Sequence, residues 1–366
     1  MSAPVPPKPR EGGPVSPKLR EGGPVPPKLR EGGPVPPKLR EGGPAIETTG
    51  LGRDYVDVRA LDTLSIVVDR GSTVGVLGPN GAGKTTTLLM LATLLAPTRG
   101  KALVFGHDIT RERAAIRRRL GLVFQEPSID GLLTVEENLR FAAGLMGMGG
   151  AARQRAVSEA LTRTGLVEQA SRPARRLSGG FRRLADIARA TVHGPDLLLL
   201  DEPTSGLDPE HRDRVWALLE AERRTRGVTV VFSTHYLAEA ESCDRVFMLG
   251  SGRLVAADTP ALLRATVGEE VVEVEGPDAE RAARSLESVA DVHMSVRTER
   301  GYRVGISGAR DALSTIVGAA PRLARVGVRA ATLEDVYFAR TQRPEPRAEN
   351  AGPKAQSPKS RVESLP

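Results

Sequence analysis

Cysteine occurs once in the 366-residue sequence, as Cys243. A single thiol excludes an internal disulfide framework and suits a reducing compartment; its simplest role is a small, partly buried apolar side chain. Long hydrophobic runs are missing as well, with no stretch of about 18 apolar residues and no hydrophobic N-terminal signal segment. The chain itself is therefore not expected to cross a membrane. The formal net charge of +7 is carried mainly by the two ends. Residues 1–41 hold eight Lys/Arg against four Glu and residues 341–366 hold five against three, so these arms supply +4 and +2 and the body about +1. A body so near balance lacks the basic excess that neutralises a phosphate backbone, and no specific nucleic-acid partner is expected. Lysine is almost absent from that body: between residues 42 and 340 only Lys84 and Lys101 occur, although arginine is abundant.

Lys84 stands in Gly78-Pro79-Asn80-Gly81-Ala82-Gly83-Lys84-Thr85-Thr86, which fits the phosphate-loop pattern G-x-x-x-x-G-K-[ST]. The apolar segment Thr73 to Leu77 before it reads as a buried strand and Thr86 to Leu95 after it as a helix. Glycines let the backbone curl so that successive N–H groups point at phosphate oxygens, and the helix offers its positive end to the same anion. Lys84 then reaches the β- and γ-phosphates and Thr85 ligates Mg²⁺. A chain that otherwise writes positive charge as Arg has Lys where a compact ammonium must fit among phosphates.

Residues 1–44 contain a ten-residue repeat, Glu-Gly-Gly-Pro-Val-Pro-Pro-Lys-Leu-Arg, starting at Glu11, Glu21 and Glu31 and fading at Glu41. Each copy has only Val and Leu to bury, so a disordered arm with polyproline II stretches is expected. From Ala45 the composition changes, with Ile46–Thr48 and Ser65–Val68 as short strands and a second α/β segment from Lys101 to Gln125. Residues 126 to about 175 show helical periodicity. Thr134 and Glu137 have capping-box spacing ahead of a helix Val135 to Leu145 that Gly147, Gly149 and Gly150 stop, and a second helix spans Ala152 to Thr164. Leu177-Ser178-Gly179-Gly180-Phe181 opens a helix to about Val192. Leu197 to Glu202 is a buried strand ending in two acids, and Val228 to Phe232 is another strand, ending at Ser233-Thr234-His235. Such alternation indicates a mainly parallel sheet with helices on both faces and ligands at the carboxyl ends of the strands.

Near Gly268 the nucleotide fold is expected to end. Strands at Val271–Val274, Val292–Val296 and Tyr302–Ile306 with helices at Asp278–Leu286 and Arg310–Val317 make a small α+β appendage, closed by a capping start at Thr332. Residues 341–366 are Pro-, Ser- and charge-rich and read as a disordered tail. The expected division is thus 1–44, 45–267, 268–340 and 341–366. The fold class is an α/β P-loop NTPase with a helical subdomain and a small C-terminal α+β domain.

Asp201-Glu202 sharpens the site. A carboxylate closing a buried strand beside the phosphate loop can hold Mg²⁺, and the next acid can orient or deprotonate the attacking water. With Pro203-Thr204-Ser205-Gly206-Leu207-Asp208 following, the ordered set resembles the ATP-binding subunits of ABC transporters from about Ala45 to Arg340. Leu177 to Phe181 is similar to that family's signature motif, Gln125 to its Q-loop glutamine, Ser205 to Asp208 to its D-loop and His235 to its switch histidine. Phe181 departs from the polar residue common at its position.

The resemblance implies ATP as ligand, Mg²⁺ as metal and ATP hydrolysis as activity. Tyr55 stacks on adenine, and Gly78, Pro79, Asn80, Gly81, Ala82, Gly83, Lys84, Thr85 and Thr86 wrap the phosphates. Thr85, Gln125 and Asp201 serve the metal, and Lys84, Gln125, Glu202 and His235 form the catalytic set. Ser178, Gly179 and Gly180 face away from the chain's own nucleotide and close over that of a second copy, with Asp208 linking the two sites of a homodimer. The segments Phe124 to Asp130 and Ala331 to Tyr337 are most similar to the daunorubicin-resistance type of exporter ATPase. That type implies a peripheral subunit on the cytoplasmic side of the cell membrane, paired with a separate membrane-spanning permease that exports a drug-like or hydrophobic small molecule. The competing reading is a soluble member of the superfamily acting on ribosomes or DNA. A single phosphate loop, under a hundred residues between Thr85 and Leu177, and the near-neutral body argue against it. A GTPase is disfavoured because no Asn-Lys-x-Asp motif is present.

Overall fold

The computed structural model describes residues 43–56, 58–308 and 312–341. The repeats and the charged tail lie outside the described residues. Strands β1 (Ile46–Asp54), β2 (Arg59–Leu64) and β3 (Val67–Val68) are antiparallel, and β4 (Thr73–Leu77) then leads through the phosphate loop into α1 (Lys84–Leu91). Strands β5 (Arg99–Val104) and β6 (His107–Asp108) return to the first sheet, giving the order β2-β1-β5-β6 with β3 against β1. After α2 (Arg113–Arg118) and β7 (Leu120–Val123) come the helices α3 (Val135–Leu145), α4 (Gly150–Arg163) and α5 (Gly179–Thr191). The chain continues through β8 (Leu197–Asp201), α6 (Pro209–Arg226), β9 (Thr229–Thr234), β10 (Arg245–Gly250), β11 (Arg253–Asp258) and α7 (Pro260–Ala265). Last come β12 (Glu270–Glu275), α8 (Ala279–Ser285), β13 (Asp291–Arg297), β14 (Gly301–Ser307), α9 (Ala312–Ala319), β15 (Arg325–Ala330) and α10 (Leu333–Thr341).

The central sheet has the order β11-β10-β4-β9-β8-β7, parallel throughout except for β11. The four leucines of β8 show why a continuous apolar run is needed there. Leu197 and Leu199 face a core with α1 and the antiparallel sheet, while Leu198 and Leu200 face a core with α3 to α6, so both faces are buried. The expectation of helices on both faces thus needs correction: on one face α1 shares the cover with the antiparallel sheet. Strand β1 also runs on to Asp54, well past Thr48, and only Val67–Val68 of the Ser65–Val68 segment is strand.

Two helix boundaries differ from the sequence reading for identifiable reasons. Helix α1 begins at Lys84 because Gly83, at φ 100°, turns the chain directly into it, and it ends at Leu91 because Thr93 adopts φ 62°. Gly150 does not stop a helix but starts α4, and the turn after α3 is made by Met146 and Gly147. The capping box of α3 is formed as expected, with Glu137 N donating to Thr134 Oγ1 at 3.2 Å and Thr134 N to Glu137 Oε2 at 2.8 Å.

The C-terminal sheet, order β13-β14-β12-β15, is wholly antiparallel. Val272, Val274, Val304 and Ile306 pack on α8 and α9. On its other side Val271 and Met294 join Leu333 and Val336 of α10 in the same core as Val246, Met248 and Leu263.

Candidate functional site

Strand order creates the site. Strands β4, β9 and β8 are parallel neighbours with Leu77 beside Thr234 and Asp201 beside Ser233, so the residues leaving their carboxyl ends meet at one edge. These are the phosphate loop, His235 and Glu202. Two loop glycines are required by geometry. A Cβ on Gly78 (φ 153°) would lie 2.4 Å from the Leu249 carbonyl, and one on Gly83 (φ 100°) would lie 2.6 Å from the Ala60 carbonyl.

Lys84 is 5% exposed and donates from Nζ to the carbonyls of Gly78 (2.9 Å) and Pro79 (3.1 Å). Its ammonium lies 3.7 Å from Glu202 Oε1. His235 Nδ1 is 3.2 Å from the same oxygen, and Gln125 Nε2 donates to Glu202 Oε2 at 3.5 Å. Three polar groups thus converge on one carboxylate that is mostly buried. Glu202 itself adopts φ 46°, a strained conformation for a non-glycine residue. Its N–H is held by the carbonyl (3.2 Å) and the hydroxyl (3.0 Å) of Ser233. The Ser233 hydroxyl also donates to Asp201, which is buried behind it. Gln125 is fixed from behind by Arg183 of α5, whose buried guanidinium donates to the carbonyls of Phe124 (2.6 Å) and Gln125.

A cavity of about 540 Å³ lies over these groups, bounded by Tyr55, Asn80, Gly81, Gly83, Lys84, Thr85, Thr86, Gln125, Glu202 and His235. Val58, Ala60 and Ser205 complete the wall; sequence reasoning did not single out the first two, and nothing local marks them. Gly78, Pro79 and Ala82 shape the loop beneath, with Ala82 N bonded to the Pro79 carbonyl at 3.2 Å. Tyr55 is half exposed at the rim, with the Arg53 guanidinium 4.9 Å from its ring centre.

Ser178, Gly179, Gly180 and Asp208 are not on this cavity's wall. Ser178 caps α5, accepting from Phe181 N at 3.3 Å, and Asp208 caps α6, accepting from His211 N at 3.0 Å. That N–H and the His211 ring, 2.8 Å away, hold the Asp208 carboxyl below its ordinary range. Phe181 meets His211 edge-to-face at 5.3 Å, so the two segments form one surface through a histidine that the sequence did not flag.

Fold and site together define a phosphate-loop nucleotide hydrolase. Residues 61–205 match the ABC transporter family model. The daunorubicin/doxorubicin resistance ATP-binding protein DrrA of Streptomyces peucetius is 43% identical over 242 residues, covering 66% of this chain and 73% of that protein. The Nod factor export ATP-binding protein I of Paraburkholderia xenovorans is 37% identical over 309 residues, covering 82% and 97%. Among solved structures, cbiO1 from Clostridium perfringens, part of the ABC transporter complex cbiONQ, aligns with a TM-score of 0.57 at 29% identity, over 61% of this chain and 91% of that one. The ATP-binding cassette MJ0796, a dimer in a post-hydrolysis state bound to ADP and Pi, aligns with a TM-score of 0.55 at 28% identity, over 58% and 98%. The chain belongs to the ATP-binding subunits of ABC transporters, and its activity is ATP hydrolysis.

Proposed function

We propose that this ATPase works as a homodimer with Mg²⁺ and drives export of a drug-like or hydrophobic small molecule through a separate membrane-spanning permease. The observation that carries the catalytic assignment is the convergence of Lys84, Gln125 and His235 on the Glu202 carboxylate at the cavity wall. Lys84 has three donors and commits two to loop carbonyls, leaving one and its charge for phosphate. Glu202 accepts the proton of the attacking water, and His235 orients the γ-phosphate side of the site. Thr85, Gln125 and Asp201 are hard oxygen donors of the kind that suit Mg²⁺ and would hold it; when bound it neutralises phosphate charge. Ser178, Gly180 and Asp208 lie outside the cavity of their own chain and complete the site of a second copy.

Export is supported by the names of the relatives, two of which are a drug-resistance protein and a Nod factor exporter. No helix among the described residues is long and apolar enough to cross a membrane. An apolar groove of about 320 Å³, lined by Leu94, Leu122, Phe124, Leu145 and Met146, is the surface we assign to a helix of the permease. Phe124 in that groove is bonded to Gln125 in the nucleotide cavity, which gives the partner a short path to the chemistry.

The test is Glu202→Gln, which keeps shape but removes the base. Turnover should fall roughly 10²- to 10⁴-fold while ATP binding survives, and sedimentation with ATP and Mg²⁺ should show an accumulated dimer. Turnover at the parental rate would overturn the assignment. Export is tested by stimulation of the ATPase by hydrophobic compounds once the co-purifying permease is present.

A further inference from the structure

We propose that Glu239 is a positioning residue for hydrolysis, fixing the two strand ends that carry Glu202 and His235. The inference rests on the roles assigned to those two residues above. Glu239 lies in the short helical turn Leu237–Ser242 that follows His235, with its carboxylate only 6% exposed. One oxygen accepts from the hydroxyl of Thr204, and the other accepts from the hydroxyl of Thr234 at 2.6 Å. Arg212 Nε lies 3.9 Å away. Both threonines are 1% exposed.

The location of those threonines gives the carboxylate its meaning. Thr234 immediately precedes His235, and its hydroxyl also accepts from Tyr236 N at 2.9 Å, so its position sets the turn that carries the histidine. Thr204 stands two residues after Glu202 and immediately before Ser205, within a turn closed by Ser205 N to the Glu202 carbonyl (3.2 Å) and Leu207 N to the Thr204 carbonyl (3.2 Å). The parallel ladder between β8 and β9 ends at Asp201 and Ser233. Past that pair the Glu239 carboxylate ties the two segments together, bonded to Thr204 on one and Thr234 on the other.

Such a tie is needed because Glu202 is held at φ 46°, a conformation that persists only where its surroundings over-determine it. Ser233 fixes the amide side of Glu202. Through Thr204, Glu239 fixes the chain on the carbonyl side. An ionised carboxylate is acceptor-only, so it matches two hydroxyl donors without competing for a proton, and such charge-assisted bonds are the strong ones. The phosphate loop lies on β4 and receives none of these bonds. Glu239 therefore acts on the geometry of base and histidine, and the phosphate loop's own grip on the nucleotide is independent of it.

The expected signature is a change in kcat with little change in KM. In the full-length chain, Glu239→Ala and Thr204→Val, which removes only the donor, should each lower kcat roughly tenfold to a hundredfold. KM for ATP and the affinity for a fluorescent ATP analogue should stay within about twofold, since the loop contacts are untouched. Thr204→Ser keeps the hydroxyl and should restore most of the rate. If Glu239→Ala does not fold, the Thr204 pair decides alone. A parental kcat in Thr204→Val, or a KM that rises in step with the loss of rate, would overturn the proposal, as would Thr204→Ser behaving like Thr204→Val. Glu202→Gln run in parallel separates the two readings. If it turns over at the parental rate, the assignment of the base falls; if it is inactive while Glu239→Ala and Thr204→Val are not, only the role of Glu239 falls.

Discussion

Gly180 has no room for a side chain. A Cβ there would lie 2.0 to 2.6 Å from ring atoms of His211, the residue whose backbone and ring hold Asp208. Gly180→Ala must therefore displace His211 and loosen the start of α6. Because neither residue borders the chain's own cavity, ATP affinity of the single chain should stay unchanged while ATP-dependent dimerisation is lost. His211→Ala in the same protein should return part of it, as sedimentation would show. Lys84 illustrates the opposite constraint, a buried ammonium fitted between two carbonyls of its own loop. Lys84→Arg keeps the charge but puts a planar fork into a space shaped for a point donor, so nucleotide affinity should fall at least about tenfold by titration calorimetry.

Helix ends govern the behaviour of single elements. For α3, removal of the capping hydroxyl in Thr134→Ala should cost about 1 kcal/mol in thermal or denaturant unfolding. At the other end of the chain, Asp335 in α10 accepts from Arg329 at 2.7 and 2.8 Å and from Thr332 N at 3.0 Å. Burial pushes its carboxyl up, but the bonds from Arg329 and Thr332 outweigh it and hold the pKa below the ordinary 3.8. A depressed carboxyl stabilises the fold fully above its unfolded pKa, and this contribution is lost as pH falls through the folded value. The C-terminal sheet and α10 should therefore lose this contribution as pH falls below the ordinary carboxylate range, and Asp335→Asn should lower the thermal midpoint at neutral pH and flatten its dependence on pH below about 4.

On the scale of the whole molecule, Ala45 and Ile46 are already fully buried in the core of the described body. The Gly43 carbonyl accepts from Arg70 at 3.0 Å. Each repeat has only two apolar residues to offer. Deletion of residues 1–42 should leave ATP turnover within about twofold of the parent, because a segment of that composition cannot bury enough surface to support a fold. Deletion from residue 268 onward is a different matter. Val271, Met294, Leu333 and Val336 share a core with Val246, Met248 and Leu263, and Leu333 N reaches the Glu241 carboxylate at 3.4 Å. That cut uncovers several apolar side chains at about 1.5 to 3 kcal/mol each, so the truncated protein should show a lower thermal midpoint than one cut after residue 341.

What the sequence determined by itself was local. The phosphate loop with its adjacent strand and helix, the capping box of α3, the doubly buried leucine strand and the Ser178 start of α5 are all written within about ten consecutive residues, because spacing and turn chemistry dictate them. Strands β2, β11 and β15 carried no such signal; β11, for example, is only partly buried along most of its length and is fixed by its pairing with β10. Only the tertiary structure decided that Glu202 sits under Lys84, Gln125 and His235, that Ser178 and Asp208 stand apart from them beside His211, and that the C-terminal sheet shares the main core. These are contacts between residues far apart in the chain. They depend on the order in which parallel strands assemble, and that order is set by packing and ladder hydrogen bonds across the whole fold rather than by any residue's neighbours in sequence.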